Sequence, residues 1–178
     1  VKEIKDDLGR SIYIIDNASL KAEHESMYTY IRNSLFKVGF QDTESIERLT
    51  SQYLHSEYSY NHYVDSGFKN ILEKTEVFDK IKDKNFRLNI NLSTPSDTYF
   101  PHTHKNSWSV IYYANLDWRP EWGGETLFYN EDLSEVIYTS VYKPGKLIFF
   151  DGEIPHSIKT QSSLAPHYRF TVAMFINK

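Results

Sequence analysis

Residues 86–93, FRLNINLS, mark the point where the chain changes its hydrophobic period. Leu88, Ile90 and Leu92 alternate with Arg87, Asn89 and Asn91, and alternate residues of a strand face opposite sides. The alternation runs on almost to the C-terminus and predicts strands over residues 86–93, 98–104, 108–115, 125–130, 136–142, 146–150, 155–160 and 168–176. Turn residues separate them: Thr94-Pro95-Ser96-Asp97, Trp122-Gly123-Gly124, Pro144-Gly145 and Asp151-Gly152. Short strands at this spacing suggest a double-sheet jelly roll, or double-stranded β-helix.

Upstream, the period is helical. SIYIIDN (residues 11–17) reads as a short strand whose final Asp16-Asn17 suits the cap of a following helix. A helix is expected over residues 20–38, with Met27, Ile31, Leu35 and Phe36 at helical spacing and Gly39 as its stop. A second is expected over 45–58, opened by Thr43-Glu44-Ser45, and a third over 67–81 with Phe68, Ile71, Leu72, Val77 and Phe78 on one side. The fold class is therefore mainly β with helices (α+β), a jelly roll supported by N-terminal helices on one face. A chain of 178 residues suits one core, so the expectation is one domain over 1–178, with 1–84 as mostly helical support and 85–178 as the jelly-roll core.

Composition narrows the chemistry. Aromatic residues make up 16% of the chain, 14 Tyr and 11 Phe among them, which suits strands. The formal net charge is -4 and no basic cluster is present, so nucleic acid is disfavoured as a partner. Cysteine is absent, which excludes disulfides, thiolate metal sites and cysteine nucleophiles. Any metal must be held by His, Asp or Glu. No apolar run is long enough to cross a bilayer, and VKEIKDDLGR at the start is too charged for a secretory signal. The expectation is a cytoplasmic protein without membrane association; no feature specifies an oligomeric state.

Two of the seven histidines, His102 and His104, lie in YFPHTH (residues 99–104). If that segment is extended, both imidazoles point to one side. His156, in FFDGEIPHSIKT (residues 149–160), opens a later predicted strand, and a jelly roll can bring such strands together. Three imidazoles on one side of an ion leave the opposite positions open, and imidazole suits Zn, Cu, Fe and Ni alike. A His-x-His pair alone is equally compatible with residues facing solvent. Farther on, Arg169 and Thr171 share a strand face, while Phe170, Val172 and Met174 share the other. A guanidinium fork beside a hydroxyl is a receptor for a carboxylate; the alternative is a surface arginine at a strand edge. Gly123-Gly124 reads as a tight turn, and Trp118 and Trp122 as cover for the sheet edge. Tyr99 and Trp108 flank the histidines as candidates for the cleft entrance, and Asn89 and Asn91 share a face that could reach the site.

Three runs, VIYYANLDWRPEWGGETLFYNE (110–131), YKPGKLIFFDGEIPHSI (142–158) and HYRFTVAMF (167–175), together with the preceding Tyr-x-x-His-x-His, carry a resemblance. Over about residues 86–178 the chain resembles the prolyl 4-hydroxylase-like 2-oxoglutarate and Fe(II)-dependent oxygenases. The resemblance implies a non-haem Fe(II) dioxygenase that couples oxidative decarboxylation of 2-oxoglutarate to C-H hydroxylation. Its cofactors would be Fe(II) and 2-oxoglutarate as co-substrate, with ascorbate a further candidate. Its partners would be a small-molecule or peptide substrate and O2. His102 and His156 fall on the iron-ligating histidines, and Arg169, with Thr171 beside it, on the group that binds the distal carboxylate of 2-oxoglutarate. Tyr113 falls on the tyrosine that touches the same carboxylate, and Tyr112 faces the core.

The chain departs from the common His-x-Asp pattern at His104. Imidazole still places a ligand nitrogen there but makes the site more positive than a carboxylate would. Asp97 and Glu125 are the fallback carboxylates. Two other readings stay open: a cupin-like three-histidine dioxygenase or isomerase that does not use 2-oxoglutarate, and a non-enzymatic jelly-roll binding module. The substrate could be a peptidyl proline, a free amino acid, another small molecule or a modified base.

Overall fold

The computed structural model describes residues 1–40, 53–56 and 60–178. In chain order the elements are β1 (Lys2–Lys5), β2 (Ser11–Ile15), α1 (Lys21–Arg32), β3 (Lys37–Phe40), β4 (Tyr53–Ser56), α2 (Tyr60–Asp65), α3 (Phe68–Glu73), β5 (Phe86–Ser93), β6 (Ser107–Tyr113), β7 (Thr126–Tyr129), β8 (Val136–Ser140), β9 (Leu147–Asp151), β10 (His156–Ile158) and β11 (Arg169–Asn177). They form a large sheet in the order β1-β2-β9-β6-β11-β5-β4-β3 and a small sheet in the order β10-β7-β8. Each strand pair is antiparallel. This is the double-stranded β-helix expected from the alternating sequence.

The two faces of the large sheet bury different chemistry. On the outer face, Leu88, Ile90, Val110, Val172, Met174 and Ile176 pack against Met27 and Ile31 of α1 and Phe68, Ile71 and Leu72 of α3. The inner face meets the small sheet, where Tyr113, Ile148 and Phe150 pack with Phe128, Ile154, Trp118 and Tyr142. Strand β11 lies between β5 and β6, and its register sets Thr171 opposite Asn91 and Tyr113, and Ala173 opposite Asn89 and Ile111. A slip of one residue would exchange the two faces. The apolar outer face therefore fixes which polar residues enter the roll. Among the described residues, no helix is long and apolar enough to cross a membrane.

The helical expectations need correction. The first helix ends at Arg32 rather than 38. Asn33 and Ser34 donate from their side chains to the carbonyls of Thr29 and Tyr30, which closes the last turn, and Leu35 is left 86% exposed. Residues 37–40 then turn into strand β3. Nor do Asp16-Asn17 cap this helix; its N-cap is Leu20, whose N–H donates to Glu23. Of the helix expected over 45–58, residues 53–56 are strand β4, hydrogen-bonded to β5; the rest lies outside the described residues. Pairing with an otherwise open sheet edge overrides local helical periodicity there. The third helix stops at Glu73, where the Thr75 hydroxyl takes the Leu72 carbonyl, and resumes only as a 3-10 turn at Phe78–Lys80.

Ile90 is fully buried on the outer face of β5. Ile90→Ala should lower the unfolding free energy by about 2–5 kcal/mol, measured by urea denaturation, while leaving the inner-face residues in register.

Candidate metal centre

Residues 98–104 do not form the expected strand. Pro101 has no N–H to give to a ladder, and the segment touches the small sheet at a single bridge. His102 N–H donates to His156 O and His156 N–H donates to His102 O, both at 3.0 Å. Two residues on, His104 N–H donates to Gly152 O at 2.7 Å. These bonds hold the intervening backbone extended enough that both histidines face the same point. Gly152 makes the approach possible: a Cβ there would lie 2.7 Å from His104 O and 2.9 Å from Ser107 O.

The three rings converge. Ring centroids are 4.5 Å apart for His102 and His156, 4.9 Å for His102 and His104, and 5.1 Å for His104 and His156. One ligand nitrogen from each lies within 4.8 Å of the others, so a single divalent cation can meet all three. His102 Nδ1 lies 3.0 Å from Phe100 O and His156 Nδ1 lies 2.8 Å from Ile154 O. A carbonyl only accepts, so both Nδ1 atoms carry the proton and both Nε2 lone pairs are free for a metal. His104 is held otherwise, by the edge of the Phe175 ring at 4.5 Å. Burial, reinforced by His102 and then Arg87, pushes the His104 pKa down to about 3. Burial likewise holds His156 well below the ordinary histidine range. Both rings are therefore neutral near pH 7, the form that binds metal.

A cavity of about 40 Å³ opens beside the rings, with Asn91, Ser109 and Thr126 as polar walls. That is room for a cation and one or two small ligands. Arg169 is not in its wall; it lies deeper on the same face of β11. Arg169 is fully buried. Its Nε donates to Gly124 O at 2.9 Å, but Nη1 and Nη2 have no partner. Its guanidinium carbon lies 5.1 Å from the Tyr142 ring centroid and 5.6 Å from that of Tyr113. A buried guanidinium with two unpaired nitrogens is costly unless an anion completes it. Tyr113 links the two regions: its hydroxyl donates to Thr126 Oγ1 at 2.8 Å, and Thr126 lines the cavity. Burial raises the Tyr113 pKa, with Arg169 opposing, which keeps the hydroxyl a donor. Thr171, buried, sits between Arg169 and the cavity-lining Ala173.

Residues 88–177 match the model of the 2OG-Fe(II) oxygenase superfamily. The chain belongs to this superfamily. With membership comes the activity class, a 2-oxoglutarate-dependent dioxygenase. No curated protein matches it in sequence. Among solved structures it is similar to a Pseudomonas putida prolyl-4-hydroxylase, 12% identical over 94% of this chain and 92% of that one, with a TM-score of 0.68. A Trichoplax adhaerens prolyl hydroxylase, solved with a hypoxia inducible factor oxygen degradation domain peptide fragment, gives 13% identity over 93% and 78% and a TM-score of 0.64. The non-heme alpha ketoglutarate dependent epimerase SnoN from nogalamycin biosynthesis gives 10% over 93% and 78%, with a TM-score of 0.63. At such identities the likeness is one of fold.

Within this oxygenase, several residues read differently from their sequence context. Gly124 is more than a turn: at φ +79, a Cβ there would lie 3.0 Å from Arg169 Cδ, so glycine clears the path of the buried arginine. Trp118 is not edge cover; it packs in the inner core against Tyr142 at 4.7 Å. Trp108 faces away from the histidines and stacks on Phe149 at 5.0 Å. Tyr99 donates to Asp97 rather than lining the cavity. The fallback carboxylates are engaged elsewhere: Asp97 accepts from Thr94 N–H and Glu125 pairs with Lys159. Tyr142 and Thr126 were not legible as site residues, because nothing in a strand's sequence says which distant strand its hydroxyl will meet.

Gly152→Ala should lower stability by about 1–3 kcal/mol and weaken Mn(II) binding by about 10-fold, because the backbone carrying His104 must retreat. Denaturation and calorimetric titration measure the two effects separately.

Proposed function

We propose that this chain hydroxylates a C-H bond, with His102, His104 and His156 holding Fe(II) and with Arg169, Thr171 and Tyr113 holding the distal carboxylate of 2-oxoglutarate. The observation that carries this reading is Arg169: a fully buried guanidinium with two unpartnered nitrogens, on the same sheet face as a cavity lined by three neutral imidazoles. The residues fit the absent groups. The imidazole set suits a divalent transition metal, and the guanidinium fork suits a carboxylate. Iron(II) with 2-oxoglutarate and oxygen supplies the oxidising power, leaving succinate and carbon dioxide.

The protein's own part is placement. Arg169 and Ala173 lie four residues apart on one strand face, about 13 Å, a span shared by the arginine side chain and a five-carbon diacid. To reach Arg169, the diacid passes the wall formed by Thr126 and Asn91, and the Tyr113 hydroxyl exchanges its bond to Thr126 for one to the carboxylate. Phe150, Ile111 and Phe175 wall the cavity beside the histidines, so water is kept from the reacting centre. The substrate is a peptide or small molecule that approaches the histidines together with O2; the Trichoplax structure holds a peptide fragment.

Purified protein with Fe(II) should convert 2-oxoglutarate to succinate, and His102→Ala or His156→Ala should abolish both this conversion and tight metal binding. Arg169→Ala should weaken 2-oxoglutarate binding by roughly 30-fold or more, with Mn(II) binding retained and Arg169→Lys intermediate. Calorimetry of 2-oxoglutarate into Mn(II)-loaded protein decides the matter, and no detectable binding would overturn the proposal.

A further inference from the structure

The metal set proposed above brings no negative charge. Among the described residues, the cluster able to hold a cation contains His102, His104 and His156 only. Nearby carboxylates are committed: Asp97 to the Thr94 N–H, Glu125 to Lys159, Asp151 to Lys178. The surrounding charges are positive. Arg169 is buried at the deep end, and the Arg87 guanidinium lies 4.7 Å from the ring of Phe175, whose other contact is His104. A divalent cation entering here meets no opposite charge from the protein.

The three imidazoles are also unequally secured. His102 and His156 each have a backbone carbonyl fixing Nδ1 and a reciprocal main-chain bond to each other. The ring of His104 rests on packing with Phe175. Two ligands are thus oriented by hydrogen bonds and the third by an aromatic edge, a looser restraint.

We propose that metal loading in this protein is coupled to its dicarboxylate co-substrate, and that His104, by standing where a carboxylate could, sets the strength of that coupling. The inference rests on the function proposed above. The co-substrate's α-keto carboxylate supplies the anion that the ligand set lacks, and its distal carboxylate neutralises Arg169. Binding linkage is reciprocal, so the cation must tighten the diacid by the factor with which the diacid tightens the cation. Co-substrate concentration then governs how much of the protein carries metal.

The test is Mn(II) titration calorimetry on the full chain, with and without saturating 2-oxoglutarate. Wild type should bind Mn(II) about 10-fold or more tightly with 2-oxoglutarate present. His104→Asp should bind Mn(II) better alone and gain clearly less from 2-oxoglutarate, whereas uncharged His104→Asn should keep a gain of wild-type size. Circular dichroism establishes that each variant is folded. If His104→Asp is unfolded, wild type still decides: oxalate, a chelating dianion, should tighten Mn(II), and glutarate, which lacks the keto acid, should not. Equal gains in wild type and His104→Asp, or equal effects of oxalate and glutarate, would sink the coupling. Absence of any 2-oxoglutarate binding to the Mn(II)-loaded protein would instead remove the function proposed above.

Discussion

The candidate centre depends on one reciprocal pair of main-chain hydrogen bonds, His102 with His156, each donating to the other at 3.0 Å. The two residues are 54 positions apart in a loop and in the shortest strand of the small sheet. The bridge fixes the first and third rings relative to each other. It also sets where the loop passes, so that His104, two residues on, can meet Gly152 O. Each ring then needs only its local rotamer. For His102 and His156 this is set by the carbonyl two residues upstream. Convergence is therefore a property of the backbone first and of the side chains second.

A second constraint operates at the other end of the same sheet face. Arg169 is enclosed by aromatic rings, with Gly124 giving it space and one carbonyl. Around it the inner face holds other buried polar atoms without partners, in Asn89, Asn91, Ser93 and Ser109. Such groups cost stability, and their concentration on one face of one sheet contrasts with the apolar outer face that carries the helices. The molecule thus divides the two tasks between the sides of its large sheet. The outer side supplies the cohesion, and the inner side keeps hydrogen-bonding capacity for a ligand. Burial serves the inner side as well, because it holds His104 and His156 neutral and ready to bind a cation.

Much of this was legible in the chain itself. The alternation of Leu88, Ile90 and Leu92 with Asn89 and Asn91 set both the strand and its two faces, and the same reading placed Arg169 and Thr171 opposite Phe170, Val172 and Met174, as the packing has it. Helix ends were poorly legible because capping is decided by single side chains such as Asn33, Ser34 and Thr75. Strand β4 was misread because its hydrogen bonds belong to β5, more than thirty residues later. Among the site neighbours, Trp108 and Trp118 went to different surroundings from those their sequence context suggested.

By itself, then, the sequence determined the alternating strands, the histidine and arginine chemistry and the family pattern, since these follow from residue type and short-range period. Only the tertiary structure decided that His102 meets His156 across the roll, that a glycine admits Arg169, and that Tyr113 reaches Thr126. The physical reason is that side-chain direction repeats every two residues along a strand and is local, whereas contact between strands depends on register and closure. Those are settled by the packing of the whole sheet.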